Sequence, residues 1–175
     1  NEFTQIYDST RQLFYNIYKQ NDNTIRYSVI NQSGAATVSN QILLSNMDFG
    51  TKIPGPIVYS SDVDVIFLPI QNTAGSNVLY VINPSNFSVV DSLNYGIVVL
   101  GGSGNTNWWN KSTYYSHSLG SVFISQNDGK VAILDFSNNT LSNVRNVDAI
   151  ESESLRTTIW QVFEDTDNND VYCVD

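Results

Sequence analysis

Cysteine, histidine and methionine occur once each in these 175 residues, and proline only four times. The single Cys173 excludes an internal disulfide, reads most simply as a thiol buried in a strand, and leaves the redox compartment open. With one histidine and one cysteine, a zinc site of the usual ligand types is close to excluded. No apolar run approaches the ~20 residues that a membrane-spanning helix needs. Basic residues are also scarce. Eight Lys and Arg stand against 17 Asp and Glu, and the resulting charge of -9 repels nucleic acid and anionic membrane surfaces. The first residues, Asn1 to Thr4, resemble neither an initiator nor a secretory signal, so a mature product or an excised segment is expected.

What is present is apolar and aromatic content of 41% and 12%, enough for one sizeable core in one domain. Four Asn-x-Ser/Thr sequons, at Asn31, Asn86, Asn110 and Asn138, would permit glycosylation, although a chain this rich in Asn, Ser and Thr yields such a number by chance. An extracellular or cell-surface setting is the expectation they allow.

The chain also repeats. Ile30-Asn31-Gln32-Ser33, Ile82-Asn83-Pro84-Ser85 and Leu134-Asp135-Phe136-Ser137 recur at a spacing of 52 residues, each closing an apolar, strand-like run. A period near 50 points to stacked or radially arranged supersecondary units. Residues 6 to 33 lie over 58 to 85 without a gap, pairing Tyr7 with Tyr59, Leu13-Phe14 with Val65-Ile66, and Val29-Ile30-Asn31 with Val81-Ile82-Asn83. The polar stretches between, Lys19 to Thr24 and Gln71 to Asn77, suit turns of antiparallel hairpins. A third unit, from Tyr115 through Val122-Phe123-Ile124 to Asp135, has a turn about four residues shorter that closes through Asn127-Asp128-Gly129. Further strands are expected over Ala36 to Leu44, Ser88 to Leu93 and Thr140 to Val147. Val147 to Arg156 reads as a loop or one short helical turn. A fourth unit opens at Val162-Phe163-Glu164-Asp165 and reaches Val171 to Asp175.

Asn77 to Asn86 and Gly129 to Asn138 resemble the inner hairpin of surface-layer-type and quinoprotein-like β-propeller repeats. Asp167-Asn168-Asn169-Asp170-Val171-Tyr172 is similar to the Asp-x-Gly-x-Leu-Trp turn of sensor-type propellers, with Asn169 at the Gly place, Val171 at the Leu place and Tyr172 at the Trp place. The resemblance implies an all-β chain of about three four-stranded antiparallel blades plus the opening of a fourth, with units over 5–52, 57–95, 113–147 and 159–175 and an irregular insert at 96–112. A β-sandwich is the alternative, weakened by the equal spacing of related strings. Rings of this class take four to eight blades, so the remaining blades are expected from a longer chain or from a second copy, and the isolated chain is expected to be unstable or to self-associate through open edges.

Candidate sites are few. Trp108 and Trp109, followed by Tyr114 and Tyr115, flank a Gly- and Asn-rich stretch and could stack on sugar rings or anchor a protein partner. The plainer alternative has one Trp between blades and Tyr115 as the repeat counterpart of Tyr7 and Tyr59. Asp165, Asp167 and Asn169 set oxygen side chains at alternate positions, as Ca²⁺ loops do. They equally suit a solvated turn, and no other cofactor is implied. His117 lies beside no serine in a nucleophile-elbow pattern. Acidic pairs for glycosidic cleavage cannot be singled out, Asp62, Asp64 and Asp91 suiting turn and surface positions too. The expected function is a non-enzymatic binding or scaffold module for a protein or glycan partner, within a larger protein or assembly. Part of a carbohydrate-active propeller enzyme, or a structural subunit of an extracellular filament, are the alternatives.

Overall fold

Val, Ile, Tyr and Phe dominate the apolar runs, and the turns between them are made of Asn, Asp, Ser and Gly, so the chain folds as a succession of short strands. The computed structural model describes residues 3–47, 57–71, 76–97, 113–125, 130–148 and 161–174. Four strands form the first sheet in chain order: β1 (Phe3–Asp8), β2 (Leu13–Lys19), β3 (Ile25–Asn31) and β4 (Ala36–Leu44). The second holds β5 (Val58–Ser60), β6 (Val65–Gln71), β7 (Ser76–Ile82) and β8 (Val89–Ile97). The third holds β9 (Thr113–Ser116), β10 (Ser121–Ser125), β11 (Lys130–Ser137) and β12 (Thr140–Asp148). The fourth described sheet is a hairpin, β13 (Gln161–Asp165) with β14 (Asp170–Val174). Every pairing is antiparallel. These are three blades and part of a fourth.

The first strands touch one another in series, β1 to β5, β5 to β9 and β9 to β13, which sets them side by side around a common axis with the blades radiating outward. Blades meet face to face, so a middle strand is covered on both sides and loses the polar half of its alternation. Thus Ile66, Leu68 and Ile70 of β6 pack toward the first blade, while Val65 and Phe67 pack toward the third. Outer strand β4 is largely exposed and reads Ala-Thr-Val-Ser-Asn-Gln before its apolar end. The registers of β3–β4, β7–β8 and β11–β12 all slip, near the positive-φ residues Asn40, Gly96 and Asn143. Such bulges twist an outer edge away from edge-to-edge pairing.

The repeated string has two structural meanings. In the first two blades it is an Asx turn: Asn31 Oδ1 accepts from the amides of Ser33 and Ala35, and Asn83 Oδ1 from that of Ser85. In the third, the register pairs Asp135 with Ser121, as Leu13 pairs with Asn31, but β11 runs on to Ser137 and turns through Asn138 and Asn139, both at positive φ. Asp135 therefore sits inside a strand, not at its end, and binds Arg145, Asn143 and Ser121. Phe14 pairs with Ile30 and Ile66 with Ile82 at equal sequence separations, whereas Val122 and Leu134 are four residues closer. Residues 126–129, which carry Asn127-Asp128-Gly129, and 149–160, which carry most of the expected helical turn, lie outside the described residues.

Candidate binding rim

One end of the blades is built from a single turn used four times. Residues Asp8 to Leu13, Ser60 to Val65, Ser116 to Ser121 and Asp165 to Asp170 each close a first-to-second-strand hairpin, their end residues paired in register. The residue before the second strand is always left-handed: Gln12 at φ 57°, Asp64 at 51°, Gly120 at 57° and Asn169 at 57°. Glycine takes that conformation without cost, and other residues take it at roughly 1 kcal/mol, least for Asn and Asp. In three of the four the opening residue caps the turn through its side chain. Asp8 Oδ1 accepts from the amides of Thr10 and Arg11 at 2.9 Å each, Ser116 Oγ from Leu119 at 3.1 Å, and Asp165 Oδ1 from Asp167 at 3.0 Å.

Between the first and second blades the rim carries a clasp. The Arg11 guanidinium donates to Asp64 through both terminal nitrogens, at 2.7 and 2.6 Å, to Asp8 Oδ2 at 2.8 Å, and to Ser85 Oγ at 3.0 Å. Asp8 is fully buried and also accepts the Tyr15 hydroxyl at 2.6 Å. Burial alone would raise its pKa, but the hydrogen bonds from Tyr15 and Arg11 outweigh it and hold the carboxyl below its ordinary range. Asp64 is likewise held down, chiefly by Arg11. Tyr15 is pushed up by burial and by Asp8.

Between the third blade and the hairpin the rim is acidic. Glu164 accepts from Ser118 Oγ, and at 3.2 Å from the Tyr114 hydroxyl; the hydroxyl of Ser118 is the main reason its pKa is lowered. His117 Nδ1 lies 3.8 Å from Asp62 Oδ2, both side chains largely in solvent, linking the second and third turns.

Trp108, Trp109 and Asn110 lie outside the described residues. Tyr115 packs into the seam between the second and third blades, its ring 5.3 Å from Phe67 and 6.1 Å from Phe136. Asp165 uses its carboxylate on Asp167 N and Asn168 Nδ2, and Asn169 fills the left-handed place that Gly120 fills one unit earlier. Among the described residues no three His, Cys, Asp or Glu side chains converge as a metal site requires. Asn86 and Asn138 are exposed and Asn31 partly so.

One regular feature has no constant period in the sequence. An aromatic residue stands three positions after each left-handed residue: Tyr15, Phe67, Phe123 and Tyr172. Tyr15 meets Tyr59 at 6.4 Å and, edge to face, Phe87 at 5.2 Å and 84°. Phe67 meets Tyr115 and, again edge to face, Phe136 at 5.1 Å and 86°. Their spacings of 52, 56 and 49 residues were available in the sequence, but insertions blur the period.

No protein-family model matches the chain, and no curated protein matches it in sequence. Its structure is similar to a solved chain of the mitotic checkpoint complex, with 10% identity and a TM-score of 0.64 over 99% of this chain and 46% of that one. It is similar to the extracellular domain of a putative hybrid two-component system from B. thetaiotaomicron, at 11% identity and TM-score 0.57, covering 99% of this chain and 20% of that one. A putative 6-phosphogluconolactonase from Bacteroides uniformis gives 10% and 0.57 over 97% and 62%. These likenesses are of fold, and the chain spans less than two thirds of each neighbour.

Proposed function

We propose that the chain is a non-enzymatic binding module, a scaffold of blades that presents its rim turns and the 101–112 stretch to a protein or glycan partner, within a larger protein or assembly. The observation that carries this reading is the four-fold reuse of one turn, capped by a side chain in three of its copies: the polar groups of Asp8, Ser116 and Asp165, which could do chemistry, hold the backbone of the rim in shape. A rim fixed this way displays neighbouring side chains in constant positions, which is how rigid scaffolds support loops that recognise partners. The three neighbours, one from a checkpoint complex and one an extracellular domain, support the reading at the level of fold only. Trp108, Trp109 and Tyr114 are the residues assigned to the contact.

The test is a glycan array and a displayed-peptide library probed with the full chain, repeated with a Trp108→Ala/Trp109→Ala variant whose circular dichroism is unchanged. The expected result is a saturable ligand class lost at least tenfold in the variant. Turnover of a chromogenic glycoside that disappears in Glu164→Gln would replace this reading with the enzyme one.

A further inference from the structure

The seam between the second and third blades has a polar end where the seam before it is apolar. In that first seam Ile25 opens β3 fully buried, pairs with Leu44, and shares one core cluster with Ile57 and Tyr80. The repeat turns these four positions into polar or smaller residues in the second seam: Asn77, Gly96, Thr113 and Ala132. Asn77 pairs with Gly96 as Ile25 pairs with Leu44. Thr113 stands two residues before Tyr115 as Ile57 stands two before Tyr59, those tyrosines facing Val122 and Ile66 in equivalent registers. Ala132 precedes Leu134 as Tyr80 precedes Ile82.

Strand alternation aims both polar residues into the seam. Asn77 lies on the face of β7 that carries Leu79 and Val81, and Thr113 on the face of β9 that carries Tyr115, all three belonging to the core between these blades. Asn77 is 1% exposed and Thr113 7%. Among the described residues, neither polar atom of the Asn77 amide nor the Thr113 hydroxyl has a hydrogen-bond partner. A buried amide or hydroxyl left unpaired forfeits the bonds it makes to water in the unfolded chain, so two of them on facing strands point to a common occupant. Room is made for one. Gly96 takes the place of Leu44, and the nearest described atom to a Cβ built there is Asn146 Nδ2, 3.9 Å away. Ala132 takes the place of Tyr80, and Tyr95, in the place of Leu43, returns part of the lost volume.

We propose that Asn77 and Thr113 form a buried water site, one or more ordered molecules bridging the amide to the hydroxyl inside this seam. The occupant has to donate and accept at once. Whichever way the amide is turned it offers an oxygen and an NH₂ group, and the hydroxyl serves in both senses. A buried ion of either sign would leave one half of the amide unpaired, whereas water satisfies both halves, with about three hydrogen bonds per buried molecule. The site lies at the end of the blades away from the rim turns and does not rest on the binding-module reading.

The experiment applies oxygen-17 relaxation dispersion to the full chain, which counts waters that stay longer than the molecule tumbles, together with water cross-relaxation of the Asn77 side-chain amide. At least one such water is expected, with an amide cross-peak of the sign that a long-lived neighbour gives. Asn77→Ile with Thr113→Ile, which writes the first seam's residues into the second, should lower the count by at least one. Thr113→Val keeps the shape without the hydroxyl and should shorten the residence of the water about tenfold, as loss of one hydrogen bond implies, while Thr113→Ser should preserve it. Should the double variant fail to fold, this Val and Ser comparison decides alone. An unchanged count in a folded double variant, or equal residence in the Val and Ser forms, overturns the proposal. So does an Asn77 amide that cross-relaxes only with protein protons, because its partner is then a group of the chain itself.

Discussion

The seam between the first two blades and the seam that ends in the hairpin are built from the same positions and finished differently. In the first, Phe87 closes over Tyr15, stacks on Tyr27 at 3.8 Å and 6°, and Arg11 ties the rim turns together. Phe87 does so at φ 56°, a conformation that costs a bulky residue about 1–2 kcal/mol and is held there by its packing. In the last seam the place of Arg11 is taken by Leu119, which is 46% exposed, that of Asp64 by Asn169, and the closing ring is missing among the described residues. Interblade cohesion therefore has two separable parts: an aromatic grip inside, which is apolar burial, and a rim clasp, which is electrostatic.

The grip should dominate. Replacing Phe67, which is fully buried between Phe136 and Tyr115, with Ala removes the ring from both contacts, and about 3–5 kcal/mol of unfolding free energy is expected to go with it. Tyr172→Ala, the same position in the hairpin, should cost under about 1 kcal/mol, because its ring is already half in water. Urea unfolding of the two variants under identical conditions makes the comparison, and equal costs would break it.

Removing the clasp should rank second. Arg11→Ala leaves Asp8 buried with Tyr15 and two amides but no cation, at an expected cost of about 2–3 kcal/mol. The pH dependence follows in sign. Asp8 and Asp64 titrate below their ordinary value in the folded chain, so the stability they contribute is present above about pH 4 and is lost as pH falls through their lowered values. Acid unfolding followed by tryptophan fluorescence should thus show a steep limb below pH 4 that becomes shallower in Arg11→Ala. Tyr15 adds the opposite limb: its raised pKa gives stability that is present below about pH 10 and declines above it as the unfolded chain ionises.

Much of this fold was legible because it is local. The third-position strands, the Lys19 to Thr24 turn and the opening hairpin of the fourth unit follow from apolar runs bounded by Asn, Asp and Ser, and β4 begins and ends at the residues expected of it, Ala36 and Leu44. The clasp was not legible, since Arg11 and Asp64 are far apart in the chain and their turn positions are filled in other units by Val63, Leu119, Gln12 and Gly120, which share no chemistry. What Gln12, Asp64, Gly120 and Asn169 share is a left-handed backbone, and φ leaves only a statistical trace in sequence. The extended strand through Asp135 was hidden for a related reason: Leu-Asp-Phe-Ser matches the repeated string in letters, while the turn it feeds has moved two residues on to Asn138 and Asn139.

The smallest effect tests whether the clasp is transferable. Leu119→Arg with Asn169→Asp places the Arg11 and Asp64 pair on the equivalent turns of the last seam, where the neighbouring Ser116 cap and the left-handed residue 169 are already in place. Asp tolerates that conformation about as well as Asn, so backbone strain should change little. The new pair lies at the surface and lacks the buried Asp8, which is the part of the original clasp that burial strengthens. A coupling of about 0.5–1 kcal/mol is therefore expected from a double-mutant cycle, fading in high salt. Coupling as large as that between Arg11 and Asp64 would mean that burial of Asp8 adds nothing, and that the two seams differ only in which side chains they carry.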